Sequence, residues 1–516
     1  PENASWLYDP LNGGGESSQY TQNKSNELLD FYLNYNKELA SISSHLDVTA
    51  GYSWQHFWRK GTNYSTNVAE SVINADTDYE TENFLVSFFG RLNYSYKGRY
   101  LLTFSLRYDG SSRFAEQNRW GLFPSLALAW DISDEPFMES IQSLSILKLR
   151  LGYGITGQQN ITNNDYPYLA RYTYSQNNAQ YMFGNDYITT LRPEGYDENL
   201  KWEETTTYNI GLDYGFLNNR ITGDLDFYLR KTKDLINAIP VPAGTNLTNQ
   251  ILTNVGDLEN SGFEFSINGK AFSTPDFVWE IGYNLTYNQN KITKLTATDD
   301  PNYKGIFVGG ISGGVGNTIQ IHSVGYPAYS FYVYEQVYDQ NGEPIEGLYV
   351  DKDENGEINE EDKYRYKNPA PVVYMGISSM WRYKNWDISF AGRFNIGNYV
   401  YNNMFSNYGS YSNLYNSAGY LNNVNANVLE SNFNNPKYFT DYYMENASFF
   451  RMDNITLGYQ FNDIGNSTVG LRLYGVVQNA FVVTKYRGLD PEVSGGIDNN
   501  LYPRPRTFVV GVSLKF

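Results

Sequence analysis

The chain has 516 residues, a formal net charge of −18 at pH 7 and no cysteine. The lack of cysteine excludes disulfides and cysteine-based zinc sites, and the acidic excess argues against a nucleic-acid partner, which requires basic residues. The sequence contains no run of 18 or more apolar residues, and therefore no candidate for a transmembrane helix. Aromatic residues make up 17% of the chain. Disordered chains are poor in aromatic residues, so the composition favours β-structure with long polar loops.

Alternation of apolar and polar residues is the dominant pattern, and it is the period of a strand with two unlike faces. Near the C-terminus, Phe508, Val510, Val512 and Leu514 alternate with Val509, Gly511, Ser513 and Lys515. The pattern predicts an all-β fold with about fifteen strands. In chain order these are 24–36, 41–60, 82–96, 99–109, 119–131, 145–157, 203–216, 219–231, 261–272, 276–291, 372–384, 385–399, 447–461, 469–484 and 505–516.

The connections between these strands alternate in length. Short turns alternate with loops, of which the long ones are 61–81, 158–202, 232–260, 292–371, 400–446 and 485–504. This asymmetry is typical of outer-membrane β-barrels, which have short periplasmic turns and long extracellular loops. Several strands reach about 12–15 residues, longer than is usual in soluble sheets and long enough to cross a bilayer.

The strand count gives a further expectation. Bacterial single-chain barrels have an even number of strands, so we predict that residues 1–516 form the C-terminal portion of a larger, multi-pass antiparallel transmembrane barrel. About 22 strands around a plugged lumen is the nearest size class. The C-terminus would then lie in the periplasm, and the plug would lie outside this chain.

Several segments spread along the chain carry a family resemblance, and they occur in the family's order. They are 157–161 (GQQNI), 199–206 (NLKWEETT), 254–264 (NVGDLENSGFE), 450–459 (FRMDNITLGY) and 488–492 (GLDPE). Together they resemble the SusC/RagA family of TonB-dependent outer-membrane transporters. The resemblance implies an energy-coupled importer without catalytic residues, driven by TonB through a plug-bearing portion. It also implies a SusD-like surface lipoprotein as partner and, as a further possibility, a dimer of transporter–lipoprotein pairs in the outer-membrane lipid.

The sharpest local motif is an acidic segment that follows the spacing of a calcium loop. Its candidate ligands stand at positions 1, 3, 5, 7, 9 and 12, with Gly356 at position 6 for the sharp turn; they are Asp351, Asp353, Asn355, Glu357, Asn359 and Asp362. Position 7 would contribute its backbone carbonyl, and position 12 is Asp instead of the usual Glu. We expect structural calcium bound weakly, at about 10⁻⁴–10⁻³ M. The alternative is a solvated acidic loop.

A second candidate site is the segment 401–425, which is rich in Asn and Tyr. Aromatic faces and amides suit neutral sugars and also peptide backbones, so we predict an oligosaccharide ligand, with an oligopeptide close behind. The candidate contact residues are Tyr401, Asn403, Asn407, Tyr408, Tyr411 and Tyr415. The alternative is that this loop packs against its neighbours or against a partner protein.

An alternative reading is a soluble, secreted β-rich glycan-binding protein or glycosidase. Its acid and base would come from carboxylate pairs such as Glu203 with Glu204, or Asp213 with Asp224. Such a pair needs a separation of about 5–9 Å across a sugar, and acidic residues on a polar strand face explain the same pattern without catalysis. We therefore predict a transporter with no catalytic residue, and keep the soluble protein as the alternative.

Overall fold

In the computed structural model, the residues described are 16–67, 73–159, 164–174, 180–240, 248, 250–296, 303–313, 316–415, 419–461 and 470–515. Fifteen strands form one antiparallel sheet in which each strand pairs with the next along the chain. They are β1 (Glu16–Leu39), β2 (Ser44–Asn67), β3 (Ile73–Tyr96), β4 (Tyr100–Ser111), β5 (Trp120–Asp131), β6 (Leu144–Gln158), β7 (Glu203–Phe216), β8 (Ile221–Lys233), β9 (Asp257–Ser273), β10 (Phe277–Lys294), β11 (Val373–Tyr383), β12 (Trp386–Ile396), β13 (Phe449–Phe461), β14 (Gly470–Thr484) and β15 (Thr507–Lys515). The predicted number and order of strands are confirmed.

The first three strands are longer than predicted, and the predicted loop 61–81 is wrong. Strand β2 continues to Asn67 and β3 begins at Ile73, so most of that loop is paired strand. Both faces are polar here, so the alternation that marks a strand is absent from the sequence. Cross-strand side-chain contacts support the pairing, since Glu80 accepts a hydrogen bond from Trp58 Nε1 at 3.0 Å and lies 3.1 Å from Lys60 Nζ.

The later long connections agree with the prediction to within a few residues, and they contain short elements of their own. The short strands are Tyr172–Tyr174, Gln180–Phe183, Asp186–Thr189, Leu191–Pro193, Ile236–Pro240, Gln250–Asn254, Ile306–Gly310, Thr318–His322, Ser330–Val333, Gln336–Tyr338, Pro344–Tyr349, Tyr364–Arg365, Tyr399–Tyr401 and Met444–Asn446. The connection between β12 and β13 also contains two short helices, α1 (Asn403–Tyr408) and α2 (Val428–Ser431). No helix within the described residues has the length and hydropathy needed to cross a membrane.

The chain divides into two compact units, and each has its own apolar cluster. The first unit comprises 1–128, 152–206 and 232–256, and the second comprises 129–151, 207–231 and 257–516. The cluster of the first unit contains Phe114, Phe123, Leu200 and Trp202. The main cluster of the second unit contains Ile311, Ile319, Phe331, Val333, Tyr401, Phe433, Tyr443 and Met444. Most of these buried side chains belong to the connections and not to the fifteen strands.

Candidate functional site

One face of the strands exposes large apolar side chains at alternate positions. In β15, Phe508 is 72% exposed and Val510 is 87% exposed. The same pattern occurs in other strands, at Phe104, Leu106 and Tyr108, at Leu126 and Leu128, at Tyr208 and Ile210, and at Trp386 and Ile388. Soluble proteins rarely leave apolar patches of this extent in contact with water, whereas the outer face of a transmembrane barrel has this composition.

The opposite face carries charged side chains that pair across strands. Arg150 of β6 lies 2.8 Å from Asp213 of β7 and 2.7 Å from Asp226 of β8. Arg472 of β14 lies 2.6 Å from Asp387 of β12. Each of these charges therefore has an opposite charge beside it, and the pairs tie neighbouring strands together.

The carboxylates of the glycosidase alternative lie on these strands. Asp213 pairs with Arg150, whereas Asp224 accepts a hydrogen bond from the Ser266 hydroxyl. Glu203 and Glu204 are consecutive residues of β7, so their side chains point to opposite faces of the sheet. These contacts account for the carboxylates without an acid–base pair.

In the first unit, a buried carboxylate fixes the start of the connection between β6 and β7. Asp165 is only 1% exposed, and it lies 3.1 Å from Arg59 and 2.9 Å from Arg113. It also accepts a hydrogen bond from Asn83 Nδ2 at 2.9 Å. Burial raises the pKa of Asp165, but the Thr81 hydroxyl and the two guanidinium groups together outweigh that effect and hold the pKa below its usual value.

The end of the same connection is fixed by apolar packing. Leu200 and Trp202 are buried against Phe114 and Phe123, with the Trp202 ring 5.3 Å from each of the two phenylalanine rings. The Trp202 indole N–H donates to the Arg119 carbonyl at 3.0 Å. The residues 199–206 that carry part of the family resemblance therefore include an anchor between the connection and the strands.

In the second unit, a buried ion network fixes the connection between β14 and β15. Arg451 of β13 is 2% exposed and lies 2.6 Å from Asp490, which is 3% exposed. Glu492, two residues further on, lies 2.9 Å from Arg393 and 2.6 Å from Arg504. Sequence reasoning missed this network. Its only signal was that 450–459 and 488–492 both belong to the segments that resemble the SusC/RagA family.

The acidic segment forms a compact loop in which three carboxylates converge. One oxygen each of Asp351, Asp353 and Asp362 lies within 4.8 Å of the others. Gly356 has a φ of +87°, as the sharp turn at position 6 requires. Asp362 accepts hydrogen bonds from the backbone N–H groups of Asn359 and Lys352, both at 2.7 Å, and the first of these contacts is the main reason that its pKa is lowered.

The other predicted calcium ligands lie in the same loop. Asn355 Oδ1 accepts a hydrogen bond from the Glu357 backbone N–H at 2.7 Å, and Asn359 Oδ1 accepts one from the Glu361 backbone N–H at 2.8 Å. The Glu357 side chain is exposed, as expected of a residue that would contribute only its carbonyl. The loop thus brings together the carboxylates at positions 1, 3 and 12, and calcium binding stays a prediction.

The structure separates the six predicted ligand-contact residues into two groups. Tyr401 and Asn403 are 0% and 1% exposed, and they hold neighbouring loops together. The Tyr401 hydroxyl donates to the Tyr438 carbonyl at 2.6 Å, and Asn403 exchanges hydrogen bonds with the backbone of Ser312. Two buried side chains therefore have no surface to offer a ligand in this structure.

The remaining four residues lie at or near the surface. Asn407 Oδ1 accepts a hydrogen bond from the Tyr438 hydroxyl, and Tyr411 donates to Asn432. Tyr408 is 48% exposed and Tyr415 is 73% exposed. The ligand-binding prediction for this loop now depends on these two exposed rings and the amides beside them.

A large antiparallel sheet with one exposed apolar face and one charged face defines the chain as a membrane β-barrel protein. Residues 2–352 match the family model "TonB dependent receptor-like, beta-barrel", and the chain belongs to this family. The resemblance found in the sequence is thereby confirmed. The match also agrees with the all-β fold that the alternation predicted.

Individual relatives give the same result. The chain is 49% identical to the TonB-dependent receptor SusC of Bacteroides thetaiotaomicron, over 97% of this chain and 51% of that protein. It is 32% identical to the TonB-dependent receptor P3 of Formosa agariphila, over 98% of this chain and 53% of that protein. The RagAB peptide importer in its "closed-closed" state shares the fold, with a TM-score of 0.79 at 25% identity over 98% of this chain and 58% of that one. The chain spans about half the length of the curated relatives it matches.

Proposed function

We propose that this chain forms part of the barrel of a TonB-dependent importer of nutrient oligomers in the bacterial outer membrane. The single observation that carries the proposal is the exposed apolar face, because alternate apolar residues on long strands need a lipid surrounding. Membership of the TonB-dependent receptor family supports the same function. In the orientation that we propose for the barrel in the outer membrane, the long connections face the cell exterior and the C-terminus faces the periplasm.

The proposed partners and substrate follow from the relatives and from the loops. SusC supports a SusD-like surface lipoprotein as the partner and TonB as the source of energy, and pairs of such complexes would form a dimer. We favour an oligosaccharide as substrate because exposed Tyr and Asn side chains suit sugar rings and hydroxyl groups. An oligopeptide is the alternative, since RagAB, which shares the fold, is a peptide importer. No covalent chemistry is proposed.

The experiment is isolation of the native complex from outer membranes in detergent, followed by uptake measurements in cells. We expect this chain in the membrane fraction with a plug-bearing portion and a lipoprotein, and we expect uptake of oligosaccharides that stops when TonB is deleted. A strain lacking only this protein is the control for background uptake. Recovery of the chain in the soluble fraction, or uptake that persists without TonB, would contradict the proposal.

We also propose that the acidic loop binds calcium as a structural ion. The carboxylates of Asp351, Asp353 and Asp362 would hold it, together with Asn355, Asn359 and the Glu357 carbonyl. A hard divalent cation accepts such oxygen ligands and neutralises their mutual repulsion. The support is the convergence of three carboxylates within 4.8 Å on a loop with the correct spacing.

The test for calcium is protease sensitivity of the loop in the purified complex. Calcium in the millimolar range should slow cleavage between residues 351 and 362, and chelation should restore it. Asp351→Asn should abolish this protection, whereas Glu357→Gln should keep it, because residue 357 would bind through its backbone. Equal protection of both variants would contradict ligation by Asp351, and a calcium effect in neither variant nor the wild type would show that the loop is a solvated acidic segment.

A further inference from the structure

Two small residues leave a hollow in the exposed apolar face of the first unit. Ala50 of β2 pairs with Gly90 of β3. A leucine stands on each side of this pair, since Leu33 of β1 pairs with Ala50, and Leu106 of β4 pairs with Gly90. Directly paired residues of adjacent strands share a face. Two small side chains therefore lie between two large ones across four strands, on the face that would meet lipid.

The hollow is a concavity of about 490 Å³ with an almost wholly apolar lining. Its floor is open at Gly90, because a Cβ there would meet only the Thr49 carbonyl oxygen, at 3.9 Å. On the opposite face the neighbouring glycine, Gly51, is covered, since a Cβ there would clash with the Phe89 ring. The side chains of the apolar face that line the hollow include Val48, Ala50, Phe88, Leu92, Phe104 and Leu106.

Aromatic rings close the hollow on the side of the long connections. The Tyr52 and Phe88 rings lie 5.3 Å apart, and the Phe88 ring lies 6.2 Å from that of Trp120. Toward the short turns, the next residues of the apolar face on β2 and β3 are the aliphatic Val48 and Leu92. An elongated apolar group therefore fits with its end against the rings and its length toward the short turns.

The hollow lies at the depth of the bilayer centre. Tyr96 and Tyr100, whose rings are 6.1 Å apart, flank the short turn between β3 and β4, and aromatic side chains mark the headgroup level. Gly90 precedes Tyr96 by six residues of β3, which span about 20 Å. With a strand tilt of about 45°, this is about 14 Å of depth, close to half of the ~30 Å hydrocarbon core. The ends of acyl chains lie at this depth.

Basic side chains stand at the short-turn end of the same strands. Lys97 follows Tyr96, and its Nζ lies 5.2 Å from the centre of the Tyr96 ring. Lys37 of β1 pairs with Leu46 of β2 and shares the apolar face with it. Both lysines are exposed, and neither forms a salt bridge with a residue that the structure describes. Cations at the membrane surface attract lipid phosphate groups.

We infer that the hollow holds the acyl chain of a phospholipid of the periplasmic leaflet, whose phosphate lies near Lys97. A chain that fills the hollow gains dispersion contacts on several sides, whereas a chain on a flat wall gains them on one, so this lipid is retained while others exchange. The inference rests on the membrane orientation in the proposed function and goes beyond import by naming a lipid partner. A second copy of the chain is the other occupant that small residues can admit.

The test uses the complete transporter in phosphatidylcholine vesicles that contain a photoreactive phosphatidylethanolamine. The photoreactive group stands at the end of one acyl chain, and the crosslinked residues are read by peptide mapping. We expect crosslinks at residues 48–50, 88–92 and 104–108. They should be about fivefold more frequent there than at residues 471–477 of β14, because a retained chain end stays in contact with the hollow.

Two pairs of variants test the two parts of the site. Gly90→Leu fills the hollow and should lower crosslinking there about fivefold. Gly475→Leu is its control, because a Cβ at Gly475 would likewise meet only one carbonyl oxygen, at 3.9 Å. Lys97→Glu should lower crosslinking about fivefold by repelling the phosphate, whereas Lys384→Glu should not. Lys384 occupies the turn between β11 and β12 in the same conformation, with a φ of +51° against +53° for Lys97.

Crosslinks spread evenly over the apolar face, or crosslinks that Gly90→Leu leaves unchanged, would overturn the inference and leave the importer proposal intact. The same holds if the hollow of the wild type is not crosslinked and Gly90→Leu separates a dimer, since a second copy would then cover it. If the leucine variant does not assemble, Gly90→Ala should give an intermediate loss, and wild-type crosslinking in that variant would contradict the site. A wild-type transporter that does not enter vesicles would instead refute the importer proposal itself.

Discussion

At the scale of single residues, two glycines each allow a tyrosine side chain to reach across the strand that contains the glycine. The Tyr228 ring of β8 passes over Gly262 of β9, so its hydroxyl donates to Asn288 of β10 at 2.8 Å. In the same way, Tyr214 of β7 passes over Gly223 of β8 to the Ser266 carbonyl of β9. Glycine weakens a strand by leaving a gap, and an aromatic ring over that gap restores the packing.

This arrangement predicts that Gly262→Ala destabilises the protein. A Cβ at this position would clash with the Tyr287 carbonyl oxygen and would come within 2.7 Å of the Tyr228 hydroxyl. The paired backbone and the ring must therefore both shift, and the hydrogen bond of the ring is lost, at a cost of about 1–3 kcal/mol. Gly269→Ala in the same strand is the matched control, because its Cβ would meet only the Arg220 carbonyl, at 4.0 Å. Thermal unfolding in detergent measures both, and equal midpoints would contradict the prediction.

Local spacing explains which site residues the sequence could predict. The ligand positions of the acidic loop are set within twelve consecutive residues, so the convergence of Asp351, Asp353 and Asp362 followed from a motif. Arg150 pairs with Asp213 and Asp226, which are 63 and 76 residues away, and no local pattern links them. The burial of Tyr401 could not be predicted from the sequence either, because an Asn- and Tyr-rich segment has the same composition whether it is packed or exposed.

At the scale of elements, the connection between β6 and β7 is held at both of its ends. Asp165 binds Arg59 and Arg113 at one end, and Trp202 packs beside Phe114 at the other. Between these anchors, Tyr174 and Phe183 are largely exposed. Rigid ends and an exposed middle are the usual design of a binding loop on a scaffold.

We predict that Asp165→Asn loosens this connection. The change leaves two partly buried guanidinium groups without their shared carboxylate, a loss of about 3 kcal/mol. Limited proteolysis of the purified complex should show faster cleavage between residues 164 and 202. Asp186→Asn, at the exposed tip of the same connection, should leave the cleavage rate unchanged. Identical rates for the two variants would rule out Asp165 as an anchor.

The same anchor gives a pH dependence with a defined sign. The pKa of Asp165 is lower in the folded chain than in the unfolded chain, so its stabilising effect is complete above the usual aspartate range. That effect is lost as the pH falls through the lowered folded value. Cleavage of the wild-type connection should therefore accelerate in acid, and Asp165→Asn should flatten this part of the profile.

Element boundaries were predicted well only where the two strand faces differ. Strands β4 to β15 alternate apolar with polar residues, and their predicted bounds lie within a few residues of the structure. The ends of β1, β2 and β3 are polar on both faces, so residues 61–67 and 73–81 resembled a loop. Backbone pairing and polar cross-strand contacts such as that between Trp58 and Glu80 extend these strands, and neither is visible in a hydropathy pattern.

At the scale of the whole molecule, the two unlike faces predict opposite tolerance to charge. Leu457 of β13 is 50% exposed on the apolar face, and Thr456 beside it lies on the polar face. In a bilayer, Leu457→Arg should cost up to about 2–4 kcal/mol, depending on depth, whereas Thr456→Arg should cost far less. The measurement is the yield of folded protein in outer membranes and its unfolding in lipid. Equal tolerance at both positions would contradict a lipid-facing surface.

The anchored ends of the connections have a consequence for making hybrids of related transporters. A segment cut inside the anchors, for example after Asp165 and before Leu200, can be exchanged while both of its attachment points stay intact. For the connection between β14 and β15, the ion network of Arg451 with Asp490 and Glu492 must likewise stay intact, so an exchanged segment must not divide these residues. Grafts that respect these limits should transfer the donor's recognition surface onto an unchanged scaffold, whereas grafts that divide an anchor should fail to assemble.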